Sequence, residues 1–96
     1  MAVEVTVRLL GVFRGLSGKS QISLRLGKST IKDAIRSLSK SFPPEAKKLL
    51  IGSGFDDPRL NALILLNGKE INVLEGLETK IHEGDEITLI PIAHGG

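Results

Sequence analysis

The sequence ends in two glycines, Gly95 and Gly96, shortly after a strand-like apolar run over residues 86–92. Because glycine lacks a Cβ atom, a diglycine end can thread a channel in a partner enzyme that a bulkier residue would block. The terminal carboxylate has a pKa of roughly 3.3–3.7 and is anionic at neutral pH, so it becomes an electrophile only after conversion to an acyl-adenylate or a thioester. We predict that the Gly96 carboxylate is the reactive group, and the alternative is a frayed tail without function.

Length and composition indicate one small folded domain. The 96 residues are 41% hydrophobic and 25% charged, which is ordinary for a globular protein. The sequence has no cysteine, which excludes disulfides, thiolate metal sites and cysteine nucleophiles; we expect no metal and no bound cofactor. The start Met1-Ala2-Val3-Glu4 lacks the basic and apolar pattern of a signal peptide, and no apolar run approaches ~18 residues, so we expect a cytoplasmic protein without a membrane partner. A dispersed net charge of +2 gives no argument for nucleic acid.

Hydrophobic periodicity predicts the elements that must position the tail. Thr30 is a good N-cap and Asp33 follows at the capping-box position, so a helix begins there and ends before Pro43. Asn67-Gly68 predicts a tight hairpin turn. The predicted strands span residues 3–9, 21–26, 62–66, 69–72 and 86–92. One helix is predicted over 31–42, and a further helical turn is predicted over 45–51 with Ala46, Leu49 and Leu50 inward. A glycine-punctuated loop over 11–18 and an irregular segment over 73–81 complete the prediction.

The order of these elements predicts an α+β fold in which one main helix packs across a sheet. We expect residues 1–92 to form the domain and residues 93–96 to form its flexible tail. The sheet face that the helix covers is predicted to present Val5, Val7, Ile22, Leu24, Ile64, Ile87 and Leu89.

The opposite face of the predicted sheet also carries apolar residues. Since side chains alternate along a strand, Leu63 and Leu65 face away from the helix if Ile64 faces it. A contiguous exposed apolar patch usually marks a surface that binds a partner. The alternatives are isolated exposed side chains or shielding by the loop over residues 53–58. The predicted partner-binding residues, which we call the outer-face patch, are Leu10, Leu63, Leu65, Ile90 and Ile92.

Over nearly its whole length the sequence resembles the ubiquitin-like β-grasp sulfur carriers, the group of MoaD, ThiS and the ubiquitin-related modifiers. The resemblance is closest to MoaD-like proteins and implies a mixed sheet with one main helix across it. The features that carry it are Asn67-Gly68-Lys69-Glu70-Ile71, a Leu77-Glu78-Thr79 lead, a Gly84-Asp85-Glu86 turn, an apolar strand with Pro91 and the final diglycine.

The resemblance implies a carrier protein and not an enzyme. A MoeB- or ThiF-like activating enzyme would consume ATP to adenylate Gly96, and a sulfurtransferase would then leave a thiocarboxylate there. The sulfur would serve tRNA thiolation or molybdopterin biosynthesis; in the second case the chain is the small subunit of a molybdopterin synthase, whose large subunit docks on the outer-face patch. The alternative is a ubiquitin-like modifier that is conjugated to lysines of target proteins through Gly96.

The histidines and lysines leave further alternatives open. His94 stands where MoaD proteins more often carry a small residue, and it would contact the activating enzyme, shuttle a proton, or be an indifferent tail residue. His82 is interpreted as a turn residue. A remote alternative of another class is a β-grasp module that binds RNA or protein through Lys47, Lys48 and Lys69. This alternative leaves the diglycine unexplained.

Overall fold

Five strands and three α-helices are present in the computed structural model, which describes residues 2–27, 29–52 and 57–92. The strands are β1 (Val3–Leu9), β2 (Gln21–Leu26), β3 (Ala62–Leu66), β4 (Lys69–Glu70) and β5 (Glu86–Pro91). The helices are α1 (Gly11–Ser17), α2 (Ile31–Ser41) and α3 (Pro44–Ile51). The strands form one mixed sheet in the order β2-β1-β5-β3-β4, and the sheet shares one core with α2. The predicted α+β β-grasp architecture is therefore confirmed.

The two central strands, β1 and β5, run parallel, whereas all other neighbouring strands are antiparallel. In the register of the parallel pair, Val7 lies level with Ile87, and Leu9 lies level with Leu89. These side chains are buried on one face because residues two apart in a strand share a face. Of the residues predicted to face the helix, Ile22 is half-buried and the others are buried: Val5, Val7, Leu24, Ile64, Ile87 and Leu89.

Helix α2 begins at the predicted capping box. The Thr30 hydroxyl accepts a hydrogen bond from the Asp33 backbone N–H at 3.5 Å, and the Asp33 carboxylate accepts one from the Thr30 N–H at 3.0 Å. The helix ends at Ser41, two residues before Pro43, as the proline predicts. Its buried apolar residues are Ile31, Ala34, Ile35 and Leu38. Packing of this stripe against the sheet stabilises the helix more than its intrinsic propensity does.

The segment between β1 and β2 was predicted as a loop, and this prediction is wrong because residues Gly11–Ser17 form helix α1. Glycine is about 1 kcal/mol less favourable than alanine in a helix, so the glycines of this segment indicate a loop when the sequence is considered alone. Burial of Phe13 stabilises the helical conformation of this segment. Its side chain is fully buried, and its ring stacks on Phe42 with centroids 6.4 Å apart. Gly18 then ends the helix in the left-handed conformation with φ 74°. Tertiary burial outweighs the unfavourable local propensity.

Helix α3 is longer than the single turn predicted for this segment. It spans Pro44–Ile51, and proline is favourable at the first helical position. Ala46 and Leu50 are buried as predicted, but Leu49 is exposed and Ile51 is buried instead. The buried side of α3 is formed by residues 46, 50 and 51, and residue 49 lies on the other side of residue 46 from residue 51. The inward placement of Leu49 was therefore wrong.

The predicted hairpin turn joins β3 to β4 at Asn67-Gly68. Both residues have positive φ, 50° and 86°, as the tight primed turn requires. Strand β4 is shorter than predicted because Ile71–Val73 forms a 3₁₀ turn, in which Ile71 is fully buried. The Glu70 carboxylate caps this turn by accepting a hydrogen bond from the Asn72 N–H at 2.8 Å.

Candidate functional site

The predicted reactive end, Gly95 and Gly96, lies outside the described residues together with His94. The last described residue is Ile92, which we call the root of the tail. The site can therefore be built from the elements that hold this root and from the surface around it.

The root is held from two sides. On one side, the Ile92 N–H donates a hydrogen bond to the carbonyl oxygen of Asn61 at 3.0 Å. On the other side, α1 begins directly against the end of β5: a Cβ atom added to Gly11 would lie 2.7 Å from Cγ of Pro91. The Leu10 N–H also donates to the carbonyl oxygen of Leu89 at 3.2 Å. The end of β5 is thus fixed up to the residue from which the tail departs.

We expect Gly11→Ala to destabilise the domain more than Gly18→Ala does. Both glycines have positive φ, +54° and +74°, so both substitutions incur backbone strain of about 1–3 kcal/mol. A new methyl group at Gly11 also meets Pro91, which adds about 1–3 kcal/mol of overpacking, whereas no heavy atom lies within 4 Å of the position at Gly18. Urea unfolding of the two variants measures the difference. Equal losses would contradict a close contact between Gly11 and Pro91.

The outer-face patch lies on the sheet face away from α2. In the register of β3 and β5, Leu63 pairs with Ile90 and Leu65 pairs with Thr88. Leu63 is 38% exposed, and Leu65 and Ile90 are half-buried. The remaining patch residues, Leu10 and Ile92, are 36% and 41% exposed. The structure brings the patch together around the root, and its role in binding stays a prediction.

The other end of the same sheet face is polar. Arg8 and Glu86 form an ion pair of 3.7 Å between half-exposed side chains, and such pairs contribute little to stability. Arg8 and Leu65 both lie level with Thr88, so the polar part borders the patch directly. The face is therefore apolar beside the root and polar away from it.

An arginine bridge, which the sequence analysis missed, holds the turn before β3. The Arg59 guanidinium donates to the Asp57 carboxylate from Nε at 3.0 Å and from Nη2 at 2.7 Å. Its Nη1 donates to Oδ1 of Asn72 at 2.8 Å. These hydrogen bonds hold the pKa of Asp57 below its usual value, although partial burial acts in the opposite direction. The only signal in the sequence is Asp57-Pro58, an N-cap followed by proline; nothing there indicates Asn72.

His82 lies in a turn, as interpreted from the sequence. Its backbone N–H donates to Oδ2 of Asp85 at 2.7 Å, and its imidazole is largely exposed. Asp85 also accepts a hydrogen bond from the side chain of Asn67 at 2.9 Å. The contacts of His82 are therefore those of a structural turn.

Two kinds of site are absent from the described residues. No group of three His, Cys, Asp or Glu side chains in the described ranges is placed to hold a metal ion. None of the helices in these ranges has both the length and the apolar composition needed to cross a membrane.

A family model described as the ThiS family matches residues 7–96 of the chain. The chain belongs to the ThiS family. The match begins within β1, covers every later strand of the sheet and continues through Gly95 and Gly96. The resemblance inferred from the terminal motifs is confirmed.

The relatives of this ThiS-family protein include carriers and modifiers. Small archaeal modifier protein 3 of Haloferax volcanii is 32% identical over 95 residues, which cover 98% of this chain and 100% of that protein. A protein of Archaeoglobus fulgidus with the provisional name of sulfur carrier protein is 33% identical over 69 residues, 72% of this chain and 76% of that one. The solution structure of small archaeal modifier protein 1 from Methanosarcina acetivorans superposes with a TM-score of 0.82 and 30% identity, covering 100% of this chain and 99% of that chain. These relatives place the chain in the ubiquitin-like group of sulfur carriers and modifiers.

Proposed function

We propose that this ThiS-family protein is a sulfur carrier that is adenylated at the Gly96 carboxylate and loaded there with a thiocarboxylate. The observation that supports this most is the family match, which extends through the terminal diglycine. The fixed root at Ile92 supports it further, because a partner that grips the sheet also fixes where the tail begins. In this proposal the chain is a carrier or small non-catalytic subunit.

The chemistry is supplied by partners. A carboxylate oxygen of Gly96 attacks the α-phosphate of ATP on a MoeB- or ThiF-like enzyme, and pyrophosphate leaves. The outer sulfur of a persulfide on a sulfurtransferase then attacks the acyl carbon, and AMP leaves. A thiol of the transferase cleaves the remaining S–S bond, which leaves the thiocarboxylate on Gly96 and a disulfide on the transferase. The loaded carrier delivers sulfur to molybdopterin biosynthesis, with the large synthase subunit as partner, or to tRNA thiolation.

A protein modifier is the second candidate function. It is favoured by the relative that is 32% identical along its entire length and bears the name of a modifier protein. Both functions begin with the same acyl-adenylate, since the activated carbonyl is attacked either by sulfur or by a lysine amine of a target protein. The acceptor, not the activation, distinguishes them.

Mass spectrometry of the protein produced together with its own activating enzyme tests both candidates. A carrier gains the mass difference between sulfur and oxygen on its last residue. A modifier leaves residues 81–96, the segment that follows Lys80, attached to lysines of other proteins after tryptic digestion. Protein produced without the activating enzyme is the matched control. Absence of both changes in the presence of the activating enzyme, the sulfurtransferase and ATP would reject both functions.

We expect Leu63→Asp to weaken binding of the activating enzyme by about 30-fold, because a charge then replaces an apolar contact of the outer-face patch. Leu63 is 38% exposed, so the melting temperature should change little. Leu16→Asp is the matched control, since Leu16 is 37% exposed and lies at the end of α1 far from Gly11. Isothermal titration calorimetry measures binding. Equal affinities for the two variants would contradict the assignment of the patch.

A further inference from the structure

The two most exposed large apolar side chains of the described residues are Val73, at 74%, and Leu60, at 64%. Leu60 directly follows Arg59, and Val73 directly follows Asn72. The arginine bridge joins Arg59 to Asn72: the Arg59 Nη1 donates a hydrogen bond to Oδ1 of Asn72 at 2.8 Å. A single side-chain bridge thus ties together the two turns that expose the most apolar surface.

Hydrogen bonds fix the backbone on the Leu60 side of the bridge. The Leu60 N–H donates to the carbonyl oxygen of Asp57 at 3.1 Å, and the Asn61 N–H donates to that of Pro58 at 3.1 Å. The Arg59 N–H also donates to the Asp57 carboxylate at 2.9 Å. Leu60 is therefore an exposed leucine on a rigid turn.

The Val73 side is held in the same way. The Asn72 N–H donates to the Glu70 carboxylate at 2.8 Å, and the Leu74 N–H donates to the carbonyl oxygen of Ile71 at 2.9 Å. A backbone segment that is already held in its bound conformation loses less conformational entropy when a partner binds it. The bridge and its turns therefore suit Leu60 and Val73 for docking.

The bridge lies beside the root of the tail. Asn61 is adjacent to Leu60, and its carbonyl oxygen accepts the hydrogen bond from the Ile92 N–H. Four residues follow Ile92 in the sequence, and a fully extended chain of that length spans at most about 14 Å. An enzyme that reacts with the Gly96 carboxylate must therefore bring its catalytic centre within that distance of Ile92.

We propose that Leu60 and Val73, positioned by Arg59, form an apolar anchor that docks on the enzyme that adenylates Gly96. The anchor rests on the proposed function and is a second docking contact besides the outer-face patch, formed by the 3₁₀ turns Pro58–Leu60 and Ile71–Val73. Its complement is an apolar recess near the entrance of the ATP-binding site of that enzyme. Arg59 is a positioning residue and does not touch the reacting atoms.

The test is ATP–pyrophosphate exchange by the MoeB- or ThiF-type enzyme of the same organism, with the carrier concentration varied. A Leu60→Ser, Val73→Ser double variant should raise the KM for the carrier about 10-fold and leave kcat unchanged, because the reactive end is intact. Leu16→Ser is the control, an exposed leucine at the far end of α1. An unchanged KM for the double variant would overturn the anchor.

Arg59→Lys separates positioning from general destabilisation. Lysine keeps the charge but cannot bridge the carboxylate and the amide with a planar fork, so the KM should rise about 3-fold with kcat unchanged. Added to the Leu60→Ser, Val73→Ser background, Arg59→Lys should have no further effect on KM, because the anchor that it positions is already gone. A further rise of similar size in that background would show that Arg59 acts on something other than the anchor.

The two proposals fail separately. Absence of pyrophosphate exchange with the unaltered carrier would reject the proposed function itself. Exchange with the unaltered carrier and the same KM for all variants would reject the anchor and leave the carrier function standing.

Discussion

Deletion of Gly95 and Gly96 should abolish activation by the partner enzyme and leave the folded domain as stable as before. The deletion removes the proposed reactive carboxylate and moves the new chain end back by about 7 Å, onto His94, whose imidazole does not fit a channel built for glycine. A misplacement of 1 Å can already cost about 100-fold in rate, so we expect a loss of at least about 1000-fold in ATP–pyrophosphate exchange.

Urea unfolding of the truncated chain provides the stability measurement, and a Gly95→Ala, Gly96→Ala variant is the control that keeps the chain length. Its exchange rate should fall less than that of the truncated chain, because the carboxylate is present but the added methyl groups crowd the channel. Full exchange by the truncated chain would contradict a reactive Gly96.

Phe13→Ala should lower the free energy of unfolding by about 3–5 kcal/mol. The Phe13 side chain is fully buried and stacks on Phe42, so truncation leaves a cavity between α1 and the rest of the core. Small domains have about 5–15 kcal/mol of stability in total, and a large part of it is then lost. Urea unfolding followed by circular dichroism measures the change.

Phe13→Leu is the matched control, since it retains most of the apolar volume and should cost less than about 1.5 kcal/mol. Val12→Ala, at a neighbouring side chain that is 42% exposed, should have a smaller effect still. A loss below about 1 kcal/mol for Phe13→Ala would contradict the packing of α1 as a part of the core.

Strongly periodic segments of the fold were predictable from the sequence. Helix α2 combines a capping box at Thr30 with an apolar stripe and a proline stop at Pro43, and all three signals agree. In helix α1 the local signals disagree with the structure. Its glycines disfavour a helix, and the burial of Phe13 against Phe42 stabilises the helix in spite of them. Such a contact joins residues far apart in the sequence, so no local pattern reveals it.

Part of the candidate site was likewise predictable from the sequence, and part of it was not. The alternation of β3 and β5 was sufficient to place Leu63 and Ile90 on one sheet face, and the terminal motifs were sufficient to indicate the family. The arginine bridge was not predictable, because Arg59 and Asn72 lie in separate turns that only the folded sheet brings together. The contact of Gly11 with Pro91 is likewise tertiary.

The position of β5 has a consequence for biosynthesis. The strand between β1 and β3 is the last one in the sequence, so the sheet remains in two unconnected parts until residues 86–91 have left the ribosome. Contacts between distant parts of a chain form late, and the surfaces that they cover stay exposed until then. A polypeptide whose translation stops early therefore has neither a completed sheet nor a diglycine end, and its uncovered apolar surfaces leave it open to cellular proteases.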